Sequence, residues 1–362
     1  MAEDVKYRKI FEQLRKDIRE GCYRYGEPLP SEEALVRKYK VSRITAVRAM
    51  DELVKCGLVY RKRGAGTFVT KSARLESGRL GLIMPSLAFG EIFPRICQGL
   101  MGCVQKDGYS LILGDITAPT PAKRAREAAM VARSFVQQRV GGVVMQPLAF
   151  LRQPERVTRE ILTLFASASI PVVLIDRDVK LGEGEARHDF VGIDNFAAGR
   201  ALCEHVLEKG AKRVAFLMRP NCATIIQDRL VGVAGVAGNG SARDIAIVAE
   251  PDDVKKLAPF FAKRATRPDA VICESDYVAA VFRNTLGRLG LSVPGDVMIA
   301  GFDDVRCATT TFPPLTTIHQ PCEDIALVAY RALRERMQDP SLPPRRIQVP
   351  APLVVRESTR RQ

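Results

Sequence analysis

The chain has no tryptophan and only three histidines among its 362 residues. The histidines, His188, His205 and His319, are far apart, so a zinc site or a histidine-based catalytic triad has little support. The nine cysteines are odd in number and form no C-x-x-C pair. This usage is typical of a reducing compartment and predicts neither a disulfide framework nor a metal site.

Long apolar runs and enzyme fingerprints are also missing. No run approaches the ~20 residues of a membrane span, and Met1–Asp4 lacks the basic-then-apolar order of a signal peptide. We therefore expect a cytoplasmic protein with no membrane partner. No G-x-S-x-G, P-loop or dinucleotide motif occurs, so we expect neither an enzyme nor a cofactor. The adjacent Asp303 and Asp304 are a weak hint of acid–base chemistry.

What the chain has in excess is positive charge near its start. Residues 1–74 contain 18 Lys and Arg against 10 Asp and Glu, a net +8 out of the total +14. Basic charge concentrated in a fifth of the chain suggests a polyanionic partner. Charge alone is weak evidence, because many basic domains are merely soluble.

Three short helices are predicted in this basic region. Ile10, Leu14 and Ile18 form an apolar stripe on a helix from Tyr7 to Glu20. Ser31 and Ser42 have the residue type and position of N-caps for two further helices, which end near residues 39 and 56.

The third helix has polar side chains where a recognition helix needs them. Arg43 and Thr45 lie in its first turn, and Arg48 lies one turn later. The first turn of a recognition helix enters the major groove. There Arg can bridge O6 and N7 of guanine, and Thr can bond a phosphate or contact a thymine methyl group. The alternative is a surface helix with solvated charges.

A basic hairpin follows the third helix. Two β-prone runs, residues 58–61 and 67–69, flank a turn that contains Arg63, Gly64 and Gly66. The glycines permit close approach of the backbone, and the consecutive basic residues can reach phosphates or a minor groove. A plain hairpin with a basic edge is the alternative, but helices and hairpin in this order indicate a winged helix-turn-helix that binds double-stranded DNA.

The stretch from Tyr7 to Val69 resembles the GntR family of bacterial regulators. The similarity is carried by Leu29-Pro30-Ser31-Glu32, Val41-Ser42-Arg43-x-Thr45, Leu53-x-x-x-Gly57-Leu58 and Gly64-x-Gly66-Thr67-Phe68-Val69. Many members have a second Arg two residues after the Thr, whereas here Val47 is followed by Arg48, as in the HutC-like branch. Including the candidates from the residue pattern, the expected DNA contacts are Ser31, Ser42, Arg43, Thr45, Arg48, Arg63, Gly64, Gly66 and Thr67.

The pattern changes after a polar stretch. We interpret residues 1–70 as the winged domain, residues 71–78 as a linker and residues 79–362 as a second domain. In this domain short apolar runs alternate with helical segments, which predicts parallel strands in a doubly wound α/β fold. The runs are Leu80–Met84, Ser110–Leu113, Gly142–Met145, Pro171–Ile175, Val191–Ile193, Val214–Leu217, Ile245–Val248, Ala270–Cys273 and Val297–Ala300.

Polar side chains follow several of these runs, where ligands bind in such folds. Examples are Asp176-Arg177, Asp194-Asn195, Glu274-Ser275-Asp276 and Asp303-Asp304. Helix capping is the alternative for each of them, and Asp194 and Asp304 are the most typical of caps or hinges.

The second domain resembles the effector domain of LacI/GalR regulators, which is related to periplasmic sugar-binding proteins. The similarity is carried by Val191–Asn195 with Gly199, Asp228–Gly232, Pro294–Val297 with Gly301–Asp304, and most specifically Pro314–Pro321. It implies two lobes joined by three crossing strands, with a ligand between them. The implied ligand contacts are Phe89, Phe93, Asp176, Arg229, Ser275 and Asp303.

Two departures bear on the ligand. Ser275 stands where relatives often have Asn, and Val248–Pro251 lacks the aromatic residue that stacks on the ligand in some relatives. Hexose and purine both remain open, and so does altered ligand use.

The combination predicts a ligand-responsive transcription regulator, a repressor controlled by a small sugar-like effector. The same pairing of domains occurs in arabinose-responsive regulators. One short helix makes few base contacts, so a homodimer on a near-palindromic operator is expected. A transport-type sugar-binding protein would instead have an export signal and no basic winged domain, and an enzyme would carry a catalytic motif.

Overall fold

The computed structural model describes residues 2–19, 22–23, 26–70, 78–85, 90–149, 154–179, 188–238 and 242–360. The predicted linker, apart from Gly78, and the predicted ligand contact Phe89 lie outside the described residues. Among the described residues no helix is both long and apolar enough to cross a membrane.

The winged domain has the predicted order of elements. Helices α1, Ala2–Arg19, α2, Glu32–Tyr39, and α3, Arg43–Lys55, precede an antiparallel hairpin of β1, Val59–Lys62, and β2, Gly66–Val69. The predicted stripe of Ile10, Leu14 and Ile18 is buried and packs in one core with Met50 and Leu53. The periodicity of α1 is therefore explained by its packing on α3.

The rest of the chain forms two lobes, each built on a six-stranded sheet. The N-terminal lobe has strand order β13-β7-β6-β5-β3-β4, all parallel. Its strands are β3, Arg79–Pro85, β4, Ser110–Ile116, β5, Val143–Met145, β6, Val172–Ile175, β7, Asp189–Gly192, and β13, Arg346–Gln348. Its helices are α4, Ile92–Lys106, α5, Pro121–Gln137, α6, Pro154–Ser167, and α13, Cys322–Gln338.

The C-terminal lobe has strand order β14-β12-β11-β10-β8-β9, with β14 antiparallel to its neighbour. Its strands are β8, Val214–Met218, β9, Ala246–Val248, β10, Ala270–Cys273, β11, Met298–Asp303, β12, Thr316–His319, and β14, Leu353–Val354. Its helices are α7, Asn195–Glu208, α8, Thr224–Ala237, α9, Ala242–Ile245, α10, Val254–Phe261, α11, Asp276–Arg288, and α12, Arg306–Thr310, and a short 3₁₀ helix, Glu357–Thr359, follows β14.

The described part of the chain crosses between the lobes three times. The crossings lie between β7 and α7, between β12 and α13, and between β13 and β14. The nine predicted strands are all present, and the two-lobed arrangement of parallel sheets is confirmed. Strands β13 and β14 were not predicted from apolar runs, because they are two to three residues long and only partly buried.

A buried carboxylate fixes β13 beside β7. Asp189 is fully buried and accepts hydrogen bonds from Arg336 on α13 and from Arg345 just before β13. Burial by itself would raise the pKa of Asp189, but the two guanidinium groups lower it below its usual value. These ion pairs connect β7 to the end of α13 and the start of β13, which are about 150 residues later in the chain.

Helices α7 and α8 of the C-terminal lobe pack unusually closely. A Cβ atom at Gly199 would lie 2.2 Å from the carbonyl oxygen of Arg229, and one at Gly232 would lie 2.1 Å from the carbonyl oxygen of Phe196. No side chain fits at either glycine without separating the helices. The contact therefore places the backbone of Arg229 against α7.

Replacing Gly232 by Ala should destabilise the protein. The added methyl group would meet backbone that cannot give way, and such overpacking costs about 1–3 kcal/mol. The measurement is the free energy of unfolding in urea. Gly235→Ala, one turn along the same helix with nothing within 4 Å of its new Cβ, should be neutral or stabilising by up to about 1 kcal/mol. Equal effects of the two substitutions would contradict the close-packing explanation.

Candidate DNA-binding surface and effector cleft

The two predicted N-caps of the winged domain are formed. Ser31 Oγ accepts a hydrogen bond from the backbone N–H of Ala34 at 3.2 Å, and Ser42 Oγ accepts one from Thr45 N–H at 3.2 Å. Both serines are exposed. Each cap leaves other N–H groups of the first turn free for solvent or an anion, as in helix N-termini that contact phosphate.

Arg43 projects from the start of α3 into solvent. Its side chain is 81% exposed, and its guanidinium lies 3.9 Å from the Glu32 carboxylate. Glu32 also pairs with Arg61 at 3.4 Å, and Arg61 makes a shorter ion pair with Asp51 at 2.8 Å. Arg61 therefore connects the hairpin to α2 and α3 through ion pairs. The basic residues at the hairpin tip are then Lys62 and Arg63.

The two threonines of the predicted DNA set face inward. Thr45 is 4% exposed, with its hydroxyl oxygen 2.8 Å from Ser42 Oγ, and Thr67 is 8% exposed. Capping and packing account for these positions in the free protein. Their contact with DNA stays a prediction.

The remaining predicted DNA contacts are exposed. Arg48 places its guanidinium 4.0 Å from the centroid of the Tyr7 ring, a cation–π contact that ties α3 to α1. Arg63 lies in the hairpin turn with Gly64 and Gly66, whose φ values of +76° and +115° favour glycine. The turn therefore needs its glycines for conformation, whatever else they contact.

In the second domain, Arg229 is the centre of a buried polar cluster. Its Nε donates to Asn195 Oδ1 at 2.8 Å, and its Nη1 donates to the carbonyl oxygen of Glu274 at 2.7 Å. Its Nη2 lies 3.7 Å from Asp303 Oδ1, and its guanidinium stacks 4.3 Å from the ring centroid of Phe302. The ends of β10 and β11 and the start of α7 thus meet at one guanidinium.

Asp303 carries an unusual carboxylate at the end of β11. Burial raises its pKa to about 6, and the nearby charges of Asp176 and Glu274 act in the same direction, while Arg229 opposes them. Its φ of +108° is strained for a residue with a side chain. Asp176 belongs to the other lobe, so the charges of both lobes influence Asp303.

Asp176 lies at the end of β6 in the N-terminal lobe. It is 7% exposed and accepts hydrogen bonds from Gln146 Nε2 at 2.7 Å and from Arg177 Nη2 at 3.4 Å. Nε and Nη1 of Arg177 and Oε1 of Gln146 are buried and make no hydrogen bond within the described part of the chain. Unmatched donors and acceptors beside Asp176 are suited to a polar ligand.

A cavity of about 560 Å³ opens between the lobes next to this cluster. Its walls include Leu148, Asp176 and Arg177 from the N-terminal lobe and Asn195, Thr224 and Asp228 from the C-terminal lobe. Of the six predicted ligand contacts, Asp176 lines this cavity directly, and Arg229 adjoins it through its bond to Asn195.

The other predicted contacts have local roles. Ser275 caps α11, with Oγ accepting from Val278 N–H at 3.4 Å, and Phe93 packs against the apolar core. Asp194 is the N-cap of α7, as its alternative interpretation predicted. Asp304 is not a cap, because its carboxylate bonds Arg356 at 2.6 Å and His319 at 2.9 Å.

Three residues were not among the predicted ligand contacts. Two of them, Arg177 and Asn195, had been expected among the polar residues at strand ends. The third, Gln146, directly follows β5, so the same strand-end signal could have identified it. Among the described residues no cluster of His, Cys, Asp and Glu side chains could hold a metal ion.

Both domains of the chain are similar to known protein families. Residues 6–69 match the gntR family of bacterial regulatory proteins, and residues 203–359 match the periplasmic binding protein-like domain. The ribose operon repressor of Halalkalibacterium halodurans is 27% identical over 78% of this chain and 80% of its own length. The arabinose metabolism transcriptional repressor of the same organism is 26% identical over 91% of this chain and 88% of its own.

Among solved structures, the transcriptional regulator CelR in complex with cellobiose has a TM-score of 0.66 at 20% identity, covering 91% of this chain and all of that chain. This likeness supports the fold, while the two repressors extend the similarity to function. The chain is a DNA-binding transcriptional regulator that joins a domain similar to the gntR family to a domain similar to periplasmic binding proteins.

Proposed function

We propose that this chain is a repressor that binds operator DNA as a homodimer and responds to a small sugar held between its lobes. The observation that carries the proposal is the interlobe cavity lined by Asp176, Arg177 and Asn195, with the buried Arg229 bonded to Asn195. The same chain presents an exposed Arg43 on a capped helix. The residue limits of the domains, 1–70 and 79–362, and the individual contacts are part of the proposal.

The chemistry of the cleft suits a polyhydroxyl ligand. A sugar hydroxyl can donate to Asp176 or Asp303 and accept from Arg177 or Arg229 at the same time. The buried N–H groups of Arg177 that no described residue bonds would gain partners in this way. The named relatives regulate ribose and arabinose genes, so pentoses are the first ligands to test.

The three crossings give a mechanism for the response. A sugar that contacts both lobes binds the closed cleft better than an open one, so it shifts the population toward closure. In a dimer, the angle between lobes sets the spacing of the two winged domains, and affinity for a two-fold operator changes with it.

The direct test is binding of the purified protein to its own promoter region. Fluorescence anisotropy should show a preference over random fragments, with affinity falling steeply as salt rises, because phosphate contacts release counterions. One of ribose, arabinose or cellobiose should change that affinity and raise the melting temperature. Lack of promoter preference, both with and without the sugars, would refute the proposal.

Arg43→Ala should weaken operator binding by about 1–3 kcal/mol per half-site, because a base contact in the first turn of α3 is lost. The matched control is Lys55→Ala, which removes the same charge from the other end of α3, where Lys55 is 70% exposed and pairs with Glu52. The control should retain nearly full affinity. Both proteins should bind sugar normally in calorimetry, and equal losses of DNA affinity would contradict a role specific to Arg43.

Sugar affinity should depend on Asp303 and on pH. The carboxylate form accepts hydrogen bonds from ligand hydroxyls, and its raised pKa, about 6, means that it becomes protonated on going from pH 7 to pH 5. Affinity should therefore fall about tenfold over that interval if only the ionised form binds. In Asp303→Asn the affinity should be lower at pH 7 and nearly independent of pH.

The stability of the sugar-free protein should move in the opposite direction. Since the folded-state pKa of Asp303 is raised above its unfolded value, protonation favours the folded state. The free energy of unfolding of the parent, compared with that of Asp303→Asn, should thus increase as the pH falls through 6. Urea unfolding at pH 5 and pH 7 measures it, and an unchanged difference would mean that Asp303 does not titrate in this range.

A further inference from the structure

The side chain of Ile44 is exposed at the start of α3, whereas that of its neighbour Thr45 is buried. Ile44 is 80% exposed in the first turn of α3, beside Arg43, while Thr45 is 4% exposed and bonded to Ser42. Among the described residues no large apolar side chain is more exposed than Ile44. The apolar group presented at the start of the recognition helix is therefore that of Ile44.

A single exposed apolar side chain is ordinary on a protein surface. The position of Ile44 gives this one a specific meaning. Ile44 lies in the capped first turn of α3, and in a recognition helix the first turn enters the major groove. The thymine methyl is an apolar group at the edge of a base in that groove. An isoleucine in this turn has no polar atom with which to bond a phosphate or a base.

We propose that Ile44 recognises a thymine in each operator half-site by packing on its 5-methyl group. The inference rests on the proposed DNA-binding function and adds a specificity-determining residue to it. Isoleucine is suited to the role because its branched side chain has one strongly preferred χ1 rotamer in a helix, so little freedom is lost on contact. Arg43 beside it would supply the polar contact to a neighbouring base or phosphate.

The test replaces thymine by uracil, one position at a time, in a promoter fragment that the protein binds. This change removes the methyl group and keeps every hydrogen-bonding group of the base. For the parent protein, loss of the contacted methyl group should weaken binding about fourfold per half-site. This is the change in affinity expected when one buried group of methyl size is removed. Ile44→Ala should bind the thymine fragment that much more weakly and should lose nothing further at the same uracil position.

Two variants sharpen the result. Ile44→Val keeps a branched apolar side chain and should retain most of the thymine preference. Val54→Ala truncates another exposed apolar residue, 36% exposed in the last turn of α3, and should leave the preference unchanged. The proposal is overturned if no thymine position is sensitive in the parent, or if Ile44→Ala shows the same sensitivity to uracil as the parent.

Failure of this proposal is distinguishable from failure of the proposed function. If Ile44 reads no methyl group, the parent still prefers its promoter and Arg43→Ala still weakens binding. If the chain does not bind its promoter, no fragment shows specific affinity from the start.

Discussion

The charge of one buried guanidinium shapes the C-terminal wall of the cleft. An isolated charge buried at 3% exposure would be costly, so Arg229 has to be matched by groups around it. It is matched by Asn195 at the start of α7, by the carbonyl oxygen of Glu274 after β10 and by Asp303 at the end of β11. The glycine contact between α7 and α8 sets the backbone from which the side chain of Arg229 extends. Two strand ends and two helices are thereby held in one arrangement beside Asn195, which lines the cavity.

The opposite wall is organised differently. Asp176 is bonded by Gln146 and Arg177, but both of those side chains keep buried polar atoms that no described residue bonds. In the C-terminal lobe, Arg229 is paired with the groups around it, which include the Asp303 carboxylate. In the N-terminal lobe, Gln146 and Arg177 have buried polar atoms that make no hydrogen bond within the described residues. A ligand that bonds the free polar atoms of the N-terminal lobe and also contacts the C-terminal lobe would bind the closed form better than the open form. Such a difference in affinity is what shifts an equilibrium between two conformations.

Local chemistry made much of this predictable from sequence. Helix caps depend on neighbouring residues, so Ser31 and Ser42 could be placed before the structure was known. Buried parallel strands are continuous apolar runs, so all nine predicted runs became strands. The strand-end rule selected Asp176, which lines the cavity, and Asp303, which lies beside Arg229. Their contact with a ligand stays a prediction.

What escaped prediction depends on partners far away in the chain. The ion pair of Arg61 with Asp51 takes a basic residue away from the hairpin tip, and no spacing rule shows it. The same holds for strands β13 and β14, and for the buried Asp189, a charged residue within a strand that two distant arginines neutralise. Sequence periodicity indicates which face of an element is buried, but not which long side chain will pair across the fold.

The neighbouring carboxylates of Asp303 and Asp304 show how one strand end can connect the cleft to the crossings. Both have positive φ, 108° and 54°, and their environments differ. Asp303 faces Arg229 with a raised pKa, whereas the hydrogen bonds from Arg356 and His319 overcome burial and lower the pKa of Asp304. Two carboxylates with separate partners do not share a proton, so the pair lacks the coupling of an acid–base dyad.

Arg356 follows β14, which comes directly after the third crossing, and His319 ends β12, just before the second. Positive φ thus occurs at two consecutive residues, and the second of them, Asp304, is bonded to residues next to the second and third crossings. Because strained conformations persist only where surrounding contacts determine them, the conformation of this strand end depends on the same segments that join the lobes.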